Sequence, residues 1–502
     1  MKNFDRVLRV LLVLSLFLTA CFGAVAEAAP RDILRVALTS EPPSLTTCDH
    51  DSLISVGQNI LSFNGLARID HATLQPVMDL AESYTVENDV DWIFKLKKGV
   101  KFHNGDDFTA ADVKATIEYA QTIPGSTLYT GSIKSVEVLD DYTVKMTTHE
   151  PYAGLLFDMG YHYNFIMPKA LIASGHDFNS QPVGTGPYKL VDWNLGTSLA
   201  YVANEDYFDP EHKAKIKNLE FIIIPEGPSR AIALEAGEVD FVWEVSGPDV
   251  TNLESIPEIK VLKVNTVDNV QLFLNNDVVP FNDVNVRNAI NYGINRQNII
   301  DGALNGIGVP NYTAIAMGYW GSTEENAATY DPEKAKAFLA EWGGDPSTIV
   351  LPILCSNETR VGVATIIQND LAKLGIKVQV VAMDTATYFA KWSGGDYVGV
   401  LASWSPSNSL TYVQRFHSER RSAYPGSCND AEIDALVGKA KGTIDDEQRL
   451  KDIHAIVARV NKLAPQLSLF QSVWVRAFDA RLQGVVCSGT GYTGFNDMYW
   501  QE

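Results

Sequence analysis

The chain has 502 residues, 46% of them hydrophobic and 20% charged; this excludes a disordered protein, and the length is too great for a single core. Sixty-one acidic against 40 basic residues leave a net charge of −21, which repels nucleic acid and anionic lipid and argues against a partner recognised through phosphates. Such an acidic balance is what keeps a secreted protein soluble.

The first 28 residues read as a targeting segment: Lys2, Arg6 and Arg9 precede an apolar run over 10–20, about half the length of a membrane span. Two ends to this signal compete. Leu18-Thr19-Ala20-Cys21 has the form of a lipoprotein box, which would make Cys21 a lipid anchor, whereas Ala26-Glu27-Ala28 before Ala29-Pro30 has the form of an ordinary cleavage site. Either leaves four cysteines, Cys48, Cys355, Cys428 and Cys487, an even number in an oxidising compartment.

An apolar strand is predicted over 33–38, followed by a loop with Glu41, Pro42, Pro43, Ser44 and Leu45. In residues 91–119, DWIFKLKKGVKFHNGDDFTAADVKATIEY, the alternation of Trp92, Phe94 and Leu96, a break at Gly99, then Val100 and Phe102 predict two short strands around a turn. His103-Asn104-Gly105 supplies a second turn. Thr109 caps a helix there, with Asp112 placed to reach back to its free amides. Residues 132–146 read as a hairpin turning at Asp140-Asp141, and the glycines of Gly184-Thr185-Gly186-Pro187 as a tight path into a strand. A strand over 221–225 and a helix over 229–235 ending at Gly237 follow. A helix opening near Pro280 carries Arg287 and Arg296, expected in structural ion pairs. Asp331 caps a helix with Pro332 at its first position, and a helix over 366–374 stops at Gly375 before a strand over 376–381. Helix followed by strand in both halves indicates α/β lobes.

Catalytic motifs are scarce. Gly489-Thr490-Gly491-Tyr492-Thr493-Gly494 matches a dinucleotide fingerprint in form, but it stands too near the C-terminus for the helix and acidic partner that fingerprint needs. No Gly-x-Ser-x-Gly elbow occurs, and the nine histidines lack zinc-type spacing. His417 alone is kept as a weak candidate for a metal or metal chelate, against its reading as a surface histidine.

The order Trp92 to Leu96, Gly99 to His103, Asn104-Gly105, Phe108-Thr109-Ala110 and Asp112-Val113 resembles the signature of the peptide/nickel family of extracytoplasmic solute-binding proteins, family 5. Ile166-Met167-Pro168-Lys169 and residues 184–190 continue the resemblance. It implies an α/β, two-lobed periplasmic-binding-protein fold with a hinge and an interlobe cleft. The first lobe would cover 31–270 and the second 271–483, with 484–502 returning to the first. The resemblance further implies a binding subunit without catalytic activity or cofactor, in the periplasm or on the extracytoplasmic face, with an ABC permease and ATPase subunits as partners. Closure around the ligand would trap it. A short peptide or peptide-like solute is the expected ligand. An oligosaccharide, an opine or a nickel or other metal chelate is the alternative, and a secreted hydrolase a remote one.

Peptide-binding relatives carry Gly-Trp, two residues, then an Asp that pairs with the ligand's ammonium. Here Trp404 fits, but Ser407 stands at the acid position. A buried ammonium without a carboxylate is costly, so Asp384 is a candidate substitute acid. Trp404, Ser407 and Asn408 are expected to offer an aromatic platform with neutral donors and acceptors, and Ser44 to lie near the cleft. Trp404 as plain packing in the second lobe is the competing reading.

Overall fold

The computed structural model describes residues 31–48, 52–71, 73–405, 408–422 and 429–501. The stretch read as a targeting segment, with Cys21, and also Ser407 and Cys428, lie outside the described residues.

Strand Asp91–Leu96 turns Trp92, Phe94 and Leu96 into a core where each is at most 1% exposed. It lies between strands Ala81–Glu87 and Thr143–Thr148 in a four-stranded sheet. The second strand expected after Gly99 does not form. Lys101 makes only an isolated bridge to Asp107, because both edges of Asp91–Leu96 are already paired and the chain beyond the turn has no ladder to join. Val100 and Phe102 are buried all the same. Helix Ala110–Ala120 begins as predicted, with the Asp112 carboxylate accepting from the Thr109 amide at 2.9 Å. The predicted hairpin is Ile133–Asp140 with Thr143–Thr148.

Two of the stretches singled out in the sequence dock on each other. The His103 amide donates to the Gly184 carbonyl at 2.8 Å, and its ring nitrogen lies 3.0 Å from the Gly186 carbonyl. Glycine is needed at 184 and 186 because a Cβ there would lie 2.1 Å and 2.3 Å from the carbonyl oxygens of Ser62 and Leu61.

A second, 11-stranded sheet runs through the whole molecule. Its centre is a pair of long antiparallel strands, Ile259–Leu274 and Gln466–Asp479. On one side of the pair stand Phe241–Val242, Ile33–Leu38 and Asn218–Ile223; on the other stand Gly399–Trp404, Val350–Cys355 and Lys377–Ala382. The long pair is therefore shared by two α/β halves. Its ladder breaks between them: residues 266–268 face Ser472 alone, pairing resumes at Asn269 and Gln471, and a second shift follows between Val270 and Gln271. Such a bulge bends a strand and re-aims its side chains.

Helix Pro332–Trp342 is capped by Asp331 as predicted. The helix expected from 366 starts earlier, at Glu358, with Asn357 as cap. Its first turn faces solvent, so apolar periodicity begins only at Val363. Arg296 does not form the expected ion pair among the described residues: its guanidinium donates to the carbonyls of Asn311 and Ser468. The Arg287 guanidinium donates to the carbonyls of Leu463 and Phe281, so both side chains tie loop ends. Cys355 and Cys487 are free thiols among the described residues. The C-terminal segment packs Phe495 against Phe221, Phe241 and Trp243 at centroid distances of 5.3–5.8 Å. The halves also meet away from the long strands, where the Ala153 amide donates to the Lys441 carbonyl at 2.9 Å and Glu150 pairs with Lys441.

Candidate functional site

Between the two halves, beside the break in the long ladder, lies a cavity of about 290 Å³ with a narrower neighbour of about 40 Å³. Val267 and Thr490 line both. The first half contributes Leu53, Tyr129, Phe157 and Tyr161; the second contributes Tyr319, Trp320, Asn408 and Tyr412; Trp474 comes from a long strand and Tyr492 from the C-terminal loop. No Asp, Glu, Lys, Arg or His is among the described residues lining either. The walls are aromatic rings with a few amides and hydroxyls, the composition of a solute pocket rather than of an acid-base centre.

Several of the aromatic walls are held by neighbouring side chains. Tyr129 and Tyr161 stack with centroids 4.4 Å apart. The guanidiniums of Arg449, Arg415 and Arg476 lie 5.5, 5.2 and 5.4 Å from the ring centres of Trp320, Tyr412 and Trp474. Burial pushes the Arg476 guanidinium below its ordinary value. The Tyr412 hydroxyl accepts from Gln271 at 2.8 Å. These contacts fix the rings before any ligand arrives, which lowers the ordering cost of binding.

The residues singled out in the sequence fall in different places. Asn408 lines the narrower cavity, and its side chain caps helix Ser409–Gln414 by accepting from the Thr411 amide at 2.8 Å. Trp404 ends its strand opposite Asn269 and packs under Arg415 at 4.7 Å, behind the wall; the neighbouring Ser405 lines the larger cavity. Ser44 is 1% exposed and accepts from the Thr46 amide in its own turn. Asp384 does not reach the cavities: it caps helix Thr385–Gly394, and the Thr387 amide and hydroxyl bonded to it hold its carboxyl below the usual value. His417 sits beside Glu419 and Asp434. No cluster of three or more metal-ligating side chains occurs among the described residues.

Sequence reasoning missed most of the lining. The glycine run dismissed as a chance fingerprint forms a wall: Gly489 accepts from the Val267 amide at 2.9 Å, and Gly491 (φ +96°) leaves room for Trp474, which a Cβ would meet at 2.9 Å. The available signal was an aromatic pair between glycines, Tyr319-Trp320 between Gly318 (φ +84°) and Gly321 (φ +86°). Both rings pack against the core on one side and line the narrower cavity on the other.

No described helix is long and apolar enough to cross a membrane. The chain is 28% identical over 455 residues to heme-binding protein A of Haemophilus influenzae, covering 83% of this chain and 82% of the relative. It is 26% identical over 500 residues to the probable D,D-dipeptide-binding periplasmic protein of Escherichia coli K12, covering 94% and 95%. The solved structure of HbpA2 from Haemophilus parasuis shares its fold, with a TM-score of 0.85 at 24% identity, over 94% of this chain and 100% of that one. Residues 75–422 match the model of the bacterial extracellular solute-binding proteins, family 5 middle region, so the chain belongs to that family of two-lobed α/β binding proteins.

Proposed function

We propose that this protein is the extracytoplasmic binding subunit of an ABC importer, taking up a short peptide or peptide-like solute between its halves. It would hand the solute to a membrane permease driven by separate ATPase subunits. The observation that carries this reading is the interlobe cavity itself, whose preformed aromatic walls and neutral amides suit side chains and backbone amides of a short peptide. The long coverage of a dipeptide-binding relative supports the peptide class. The lobes divide as 31–270, 271–483 and 484–502, and the break at 266–268 acts as the hinge about which they close. Asn408 faces the ligand and Trp404 backs it from behind the wall, and Cys21 is the anchor where the lipoprotein signal is used. The protein has no catalytic turnover of its own.

The absence of a charged lining from these two cavities favours one second reading, an uncharged non-peptide solute such as an oligosaccharide. Native mass spectrometry of mature protein, before and after mild unfolding and refolding, separates the two. A ladder of bound masses that sequence as short peptides is the expected result; a single sharp non-peptide mass overturns the peptide class.

A further inference from the structure

A further cavity, of about 280 Å³, lies inside the first half against the C-terminal loop, and it is charged. One set of its lining groups is already matched. Arg68 lies 3.0 Å from Nε2 of His212, and Nδ1 of the same ring lies 3.3 Å from the Asp497 carboxylate. A guanidinium has donors only, so Nε2 accepts and the ring proton sits on Nδ1, facing Asp497. The Arg68 charge is thus balanced by Asp497 through a neutral imidazole. Asp79, which lines the same cavity, is left over. It is 3% exposed and accepts one side-chain hydrogen bond, from the Asn64 amide at 2.9 Å, which also donates to the Tyr207 hydroxyl at 3.1 Å. Among the described residues Asp79 makes no ion pair, and its second oxygen has no hydrogen-bond partner. A buried carboxylate held by one neutral donor is costly, and burial accordingly raises its carboxyl to about 6.

The buried rings of Phe63, Phe165 and Tyr492 line this cavity too. A carboxylate among aromatic faces suits an organic ammonium, whose charge the acid balances while the rings take its polarised carbon atoms. From this geometry we infer that the first half carries a second binding site, in which Asp79 holds the ammonium group of a small organic amine and the three rings enclose its carbon chain. The site is built from the first half and the C-terminal loop alone, so it goes beyond the uptake reading and does not depend on which solute the cleft carries. Ile69 and Tyr492 line both this cavity and the larger aromatic one. They are the partition between the two sites.

The test titrates mature protein with n-butylammonium and, as the uncharged counterpart, n-butanol, reading Kd by ligand-observed NMR. Wild-type protein should bind the ammonium at least about tenfold more tightly than the alcohol. Asp79→Asn, which keeps size and removes the charge, should bring the two to equality. Trp320→Ala, which alters the cleft, should leave the ratio unchanged. Between about pH 7.5 and pH 5 the wild-type affinity should fall about tenfold as Asp79 takes up a proton, and the Asp79→Asn protein should show no such fall. Arg68, Lys97 and Asp209 act on Asp79 through space, and His71, His212 and Asp497 share its cavity; a pH dependence that survives Asp79→Asn belongs to one of these and overturns the assignment. Equal binding of ammonium and alcohol by the wild type, or an Asp79→Asn protein that keeps the preference, overturns the site. A preference lost in Trp320→Ala places the amine in the cleft and overturns it as well. Because the ratios are taken within each protein, loss of stability does not imitate them, and none of these results bears on whether the cleft carries a peptide.

Discussion

The segment around His103 and the segments around Asp268 make opposite use of sequence. Residues 91–119 carry the most recognisable pattern in the chain, yet their side chains build a core and a backbone dock: Trp92 and Phe94 are buried, and His103 is bound to carbonyls of the 184–186 turn. None of them lines the aromatic or the charged cavity. The cleft at 267–268, 319–320, 405, 408–412 and 490–492 has no comparable local pattern and holds the residues that line the cavities. A recognisable pattern thus marks what the fold must repeat, whereas a pocket is free to vary over the same scaffold.

The comparison breaks most visibly at the core. Trp92→Ala should cost about 3–5 kcal/mol, the usual range for a buried Trp or Phe cut to Ala, measured by denaturant unfolding, and should leave the affinity of the remaining folded protein unchanged. A change in affinity at constant folded fraction would join the two regions. Next in size is acid sensitivity. Burial holds the His103 imidazole down to about 4 from its ordinary 6.5. The unfolded chain therefore takes up a proton that the folded protein refuses, and stability present above 6.5 is lost as pH falls toward 4, by about 2–3 kcal/mol. Asp79 opposes this: burial raises its carboxyl from 3.8 to about 6, so its term favours the fold at low pH and is lost as pH rises through that window. Asp79→Asn should accordingly steepen the acid loss of Tm, and His103→Gln should flatten it.

Smaller effects lie on the cleft side. Trp320→Ala removes one aromatic wall and should weaken ligand binding by about tenfold, read by calorimetry with the solute recovered from the native protein. An unchanged Kd would remove Trp320 from the ligand surface. Asp384→Ala should be the mildest, with no measurable change in Kd, since its carboxylate serves its own helix cap. A binding defect there would restore Asp384 as the substitute acid.

The local features were legible because short-range chemistry imposes them. Asp112 behind Thr109, Asp331 before Pro332, and Gly375 at φ +81° act within a few residues of themselves. The missing strand after Gly99 was not legible, because whether an alternating run pairs depends on which edges are already occupied. Arg296 was misread for a related reason: its carbonyl partner at 468 comes from distant chain.

By itself the sequence determined the caps and turns, the α/β alternation and the family resemblance, all of which rest on contacts within one or two turns or strands. Tertiary structure alone decided the site. Ser405 reaches Asp268 across 137 residues of chain, Val267 meets Gly489 and the wall of Trp474 and Tyr492, and the bulge at 266–268 forms against Ser472 of a strand some 200 residues on. A cleft between two halves is assembled from the ends of many segments, and no local propensity records which of those ends will meet.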